Sequence, residues 1–132
     1  MTYTISTTVH TSYDDTVAAV RAALVEQGFG VLTEIDIRAT LKAKLDVDVP
    51  PQVILGACRP PLAHQAILAE PSIAALLPCN VVVRALDDTT TCVEAVDPDA
   101  MMSMTDSDAL RAVATDAKAR LTAALDSLTQ EA

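Results

Sequence analysis

Two apolar periods alternate along this chain, and their order restricts the fold more than any other feature. Tyr3, Ile5, Thr7 and Val9 alternate with Thr4, Ser6 and Thr8, a period of two that predicts a first strand. Ser12 suits a helix N-cap, with Asp14 and Asp15 near the positive end of the helix dipole. Tyr13, Val17, Val20 and Leu24 follow at helical spacing, and Gly28 ends that helix. The period returns to two over 30–37, with Val31, Thr33, Ile35 and Ile37 expected on one face and Leu32, Glu34 and Asp36 on the other. A short helix is predicted over 39–44, stopped by Pro50 and Pro51, then a buried strand over 52–58. Short helices are predicted over 62–69 and 71–77, with Pro61 suited to a first helical position and Pro78 as a stop. Strands over 80–86 and 90–96 flank the turn Asp87-Asp88-Thr89 and form a hairpin. Thr105 or Ser107 caps a final helix whose apolar stripe is Leu110, Val113, Ala117, Leu121, Ala124 and Leu128. This order predicts one α+β domain over 1–132, with a largely antiparallel sheet and helices on one side.

A chain of 132 residues can bury a core without disulfide or metal staples. Apolar residues make up 51% and aromatics only 2%, so Val, Leu, Ile and Ala must build that core. The mean hydropathy of +0.32 is high for a small monomer and leads us to expect a homodimer. The formal charge of −9, with nine scattered basic residues, argues against nucleic acid or an anionic membrane as a partner. The first residues lack a basic and then an apolar signal region, and no apolar run is long enough to span a bilayer, so a cytoplasmic location is expected. Thiols there are normally reduced, and the three cysteines do not read as a disulfide framework.

Gly28-Phe29-Gly30 leads into a strand rather than a helix and so lacks the context of a dinucleotide loop. No Walker loop, nucleophile elbow or zinc-protease motif is present, and no cofactor is expected. Three stretches carry a resemblance: Gly28 through Asp36 (GFGVLTEID), Ile54 through His64 (ILGACRPPLAH), and Leu76 through Val83 (LLPCNVVV) with Ala95-Val96-Asp97-Pro98 after the hairpin. Together they resemble the core signature of the domain-of-unknown-function family 302 and cover most of the chain. The resemblance implies a compact fold with a curved antiparallel sheet, similar to the TATA-binding-protein repeat, and pairing as dimers. It implies no activity, and the acidic surface does not support DNA binding.

Cys58 and Cys79 bracket the helical excursion between two predicted strands. If those strands are antiparallel neighbours, the two thiols meet at one end of the sheet. A helix start after Cys58 and the adjacent Arg59 would favour a thiolate, and His64 lies about one turn into that helix. Core packing, a reactive thiol pair and a metal site with His64 are all open readings, although the spacing matches no familiar zinc pattern. Glu34 and Asp36 share one strand face, as paired carboxylates or as a solvated surface. Asn80, at the start of the next strand, joins them as a candidate binding residue. Met101, Met102 and Met104 suit adaptable packing or a soft metal. The functions left standing are a binding module with a small-molecule pocket near the excursion, a thiol-dependent redox or sulfur-handling protein, and an interaction protein without chemistry.

Overall fold

Ser12 starts the first helix by accepting a hydrogen bond from the Asp15 amide at 3.2 Å. The helix ends where Gly28 takes a φ of +85°, a conformation open to glycine at little cost. The Gly28 amide then donates to the Val25 carbonyl and the Phe29 amide to that of Leu24, which closes the helix and turns Phe29 into the core. The computed structural model describes residues 3–129. In chain order the elements are β1 (Thr4–Val9), α1 (Tyr13–Glu26), β2 (Gly30–Asp36), α2 (Ile37–Leu45), β3 (Gln52–Cys58), α3 (Pro60–Ala69), a 3₁₀ segment (Pro71–Leu76), β4 (Cys79–Ala85), β5 (Thr91–Val96), α4 (Pro98–Met102) and α5 (Asp108–Thr129).

The five strands form one sheet in the order β1-β5-β4-β3-β2, and every neighbouring pair is antiparallel. Strand alternation sends Val53, Leu55, Ala57, Val81, Val83, Val93 and Ala95 to one face, where all are buried. There they meet Val20, Ala23 and Leu24 of α1 and Leu121, Ala124 and Leu125 of α5 in a single core cluster. Each of the larger side chains contributes about 1.5–3 kcal/mol relative to an exposed position. A smaller cluster of Ala66, Ile73 and Leu110 joins α3 and the 3₁₀ segment to α5. The helices thus cover one side, and the opposite face of the sheet is open.

Two features depart from the sequence expectation. A register shift between Val31 and Thr33 leaves Leu32 as an extra, unpaired residue. Val31 therefore pairs with Ala57 on the core side, while Thr33 and Ile35 point to the open face, and Ile37 already begins α2. The second is α4, in a stretch between 96 and 105 where the sequence pattern predicts no element. Asp97 caps it by accepting from the Asp99 amide, and Pro98 fills its first position. Lys118 of α5 holds it by ion pairs to Asp97 and Asp99 at 3.3 and 2.8 Å.

Candidate functional site

The excursion between β3 and β4 returns the chain to its starting point. Ala57 and Cys79 are directly opposite one another, so Cys58 and Cys79 are near neighbours at the same end of the sheet. Both line a void of about 50 Å³ together with Phe29, Arg59, Leu62 and Leu77. That space suits a water or two and not a metabolite. Burial pushes the Cys58 thiol up, and burial with the neighbouring Cys58 pushes Cys79 up to about 11. Desolvation therefore outweighs the start of α3, and at neutral pH both groups are thiols. Arg59, the residue before that helix, has a buried Nε with no hydrogen-bond partner among the described residues.

His64 is exposed on α3 and does not line the void. Among the described residues, no group of three or more His, Cys, Asp or Glu side chains is placed to hold a metal ion. Glu34 pairs with Arg21 of α1 at 2.8 Å, and Asp36 caps α2 by accepting from the Ala39 amide at 2.9 Å. The two carboxylates thus have separate partners. Cys92 lies on the open face, opposite Arg84 in register and far from the other two thiols in the sheet. Lys42 pairs with Asp46 and Asp48 at the exposed end of α2.

Larger spaces lie elsewhere. Asn80 and Val96 sit at one end of the open face, where Leu76, Pro78, Met101 and Met104 rise beside them, with Tyr3 and Ala100, around a groove of about 470 Å³. Its walls are apolar apart from the Asn80 amide and the Tyr3 hydroxyl. Asn80, the candidate binding residue, and Met101 and Met104 of the methionine run are the groove residues that the sequence singled out. Tyr3, Leu76, Pro78, Val96 and Ala100 carried no such signal, because they come from separated stretches that only the fold brings together. At the opposite end of the sheet, a polar cleft of about 590 Å³ includes Tyr13, Asp14, Asp36, Arg38, Asp87 and Asp88. Burial, then Asp36, Asp14 and Glu34, push the Tyr13 hydroxyl above its ordinary value, so this cleft disfavours further negative charge.

The crystal structure of an uncharacterized conserved protein DUF302 from Bacillus stearothermophilus is similar, with a TM-score of 0.86 and 29% identity over 96% of this chain and 98% of that one. No curated protein matches the chain. The model of the family "Domain of unknown function DUF302" matches residues 5–128, nearly the whole described fold, and the chain belongs to that family.

Proposed function

We propose that this domain is a binding module that takes a small, mostly apolar molecule in the groove of Tyr3, Leu76, Pro78, Asn80, Val96, Met101 and Met104. The observation that carries this reading is the groove itself. Its volume of about 470 Å³ falls within the range of small-molecule sites, and its walls are apolar with few polar groups to orient a ligand. Met101 and Met104 add adaptable thioether walls that suit ligands of varied shape. The ligand site is thereby moved from the cysteines to the next wall of the same excursion, since Pro78 and Asn80 flank Cys79.

The test is binding of Nile red, a neutral apolar dye, to the folded protein. Saturable binding that Ala100→Trp abolishes, with melting unchanged, supports the groove. Absence of saturable binding, together with no small molecule retained in native mass spectrometry, removes the reading.

A thiol-dependent role is the second reading, favoured by the void that Cys58 and Cys79 share. Their raised values leave little thiolate at neutral pH, and this ranks the reading behind ligand binding. We also infer a homodimer working in the cytoplasm. The apolar row of exposed Ile35 with half-buried Ile54 and Val82 on the open face supports pairing, and three free thiols suit a reducing compartment. No helix among the described residues is long and apolar enough to cross a membrane.

A further inference from the structure

We propose that Cys58 and Cys79 are a redox-responsive pair that closes to an intramolecular disulfide on exposure to a hydroperoxide, tying together the two ends of the excursion. This deepens the second, thiol-based reading and does not rest on ligand binding.

The case starts with backbone register. Cys79 opens β4 directly across from Ala57, and Cys58 is the next and last residue of β3. Opposed Cα atoms in an antiparallel pair are about 4.5–5.5 Å apart, and one residue along a strand adds about 3.4 Å. The Cα atoms of Cys58 and Cys79 are thus about 6 Å apart, inside the roughly 4.4–6.8 Å that a disulfide spans. Strict alternation would send the two side chains to opposite faces. Cys58 ends its strand, however, and both residues line the same small void. The void provides room for sulfur to move without displacing the core. Arg59 lines it too, its buried Nε without an acceptor among the described residues.

The chemistry balances with the peroxide as oxidant. Cys58 loses its proton to solvent, and its sulfur attacks the peroxide O–O bond. This gives a sulfenic acid, and the leaving alkoxide, or hydroxide from hydrogen peroxide, takes a proton back from solvent and departs as an alcohol or water. The Cys79 sulfur then attacks the Cys58 sulfur. The S–S bond forms, the S–O bond breaks, and the departing hydroxyl takes up the Cys79 proton as water. Two electrons pass from the two sulfurs to the peroxide oxygens. Because burial holds both thiols protonated, the reaction is slow at neutral pH and accelerates as pH rises.

The test treats the full folded chain with hydrogen peroxide at mildly alkaline pH, quenches it with an alkylating agent in denaturant, and records intact mass and a non-reducing peptide map. The expected product has lost the mass of two hydrogens, carries one alkylated thiol at Cys92, and yields a Cys58–Cys79 linked peptide. Cys92 serves as an internal control, since it faces Arg84 on the open side of the sheet. Cys58→Ser and Cys79→Ser should each prevent the linkage, while Cys92→Ser should not. Oxygen addition without cross-linking, a bond between two chains, or a link through Cys92 would each overturn the proposal. The peptide map of the unaltered chain decides the matter even if a variant fails to fold.

Discussion

Gly56 shows how one missing side chain can set the relation of three elements. A Cβ there would lie 2.0 Å from the Thr33 Oγ1 and 2.8 Å from the Pro78 Cγ, so the Thr33 side chain and the Pro78 ring would have to shift. Gly30 is different, since its added carbon would meet only the Cys58 carbonyl at 3.9 Å. We expect Gly56→Ala to cost about 1–3 kcal/mol by overpacking and Gly30→Ala much less, read as the difference between their urea midpoints. Nothing in the sequence around Gly56 announces this, because Thr33 and Pro78 are brought in by pairing across strands. Charge acts at the same scale. A hydrogen bond from Arg84, with a smaller one from Thr4, holds the Glu94 carboxyl below the usual carboxylate range. A depressed value means that the pair stabilises the fold above the unfolded glutamate pKa of about 4.3 and that this is lost as pH falls through the folded value. Glu94 is partly exposed, so the advantage of the natural chain over Glu94→Gln should be only about 0.2–1 kcal/mol at neutral pH. It should shrink progressively as pH falls below the unfolded value of about 4.3, a trend checked by urea unfolding across a series of pH values.

At the scale of elements, amphipathic pattern was the reliable guide. The stripe through Leu110, Ala117, Leu121 and Ala124 was legible because each helical turn repeats it, and all four residues are buried in α5. Leu121 is fully enclosed between α1 and the sheet. Leu121→Ala should therefore lower stability by about 2–5 kcal/mol, and an unchanged melting temperature would show that the site can collapse around the loss. Short elements were less legible. The single turn of α4 is too brief for a periodic stripe, and only Asp97-Pro98 marks its start. The bulge at Leu32 was hidden for a different reason. A two-residue period carries no record of an extra residue when that residue is itself apolar and follows another, as Leu32 follows Val31 here. The neighbourhood of Cys58 and Cys79 was legible because an excursion between adjacent antiparallel strands returns to its origin. The size of the space between them was not, since it depends on how Phe29, Leu62 and Leu77 fill it.

For the whole molecule, the sequence conveyed layers better than surfaces. Alternating β-branched residues implied a sheet with one buried face, and the helical stripes implied what covers it. The fate of the second face could not be read from any one strand, because it is assembled from one or two residues of each. Ile35, Ile54 and Val82 lie side by side across β2, β3 and β4, continued by Glu94 on β5. Ile35 is 46% exposed, Ile54 and Val82 are half-buried, and none of the three belongs to a core cluster among the described residues. An antiparallel sheet can leave one face in water, but such a face usually alternates to polar residues. Three aligned aliphatic side chains in a chain of mean hydropathy +0.32 fit contact with a second copy better. A two-fold arrangement would place the row against its own equivalent, so one added charge would be repeated across the interface. We therefore expect light scattering at micromolar concentration to give twice the chain mass. Ile54→Lys should give the single mass with unchanged circular dichroism, because a lysine at the rim of a monomer can reach water while two opposed lysines in a dry contact cannot. A monomer mass for the natural chain would end the idea of pairing, and a dimer that survives Ile54→Lys would move the contact to another face.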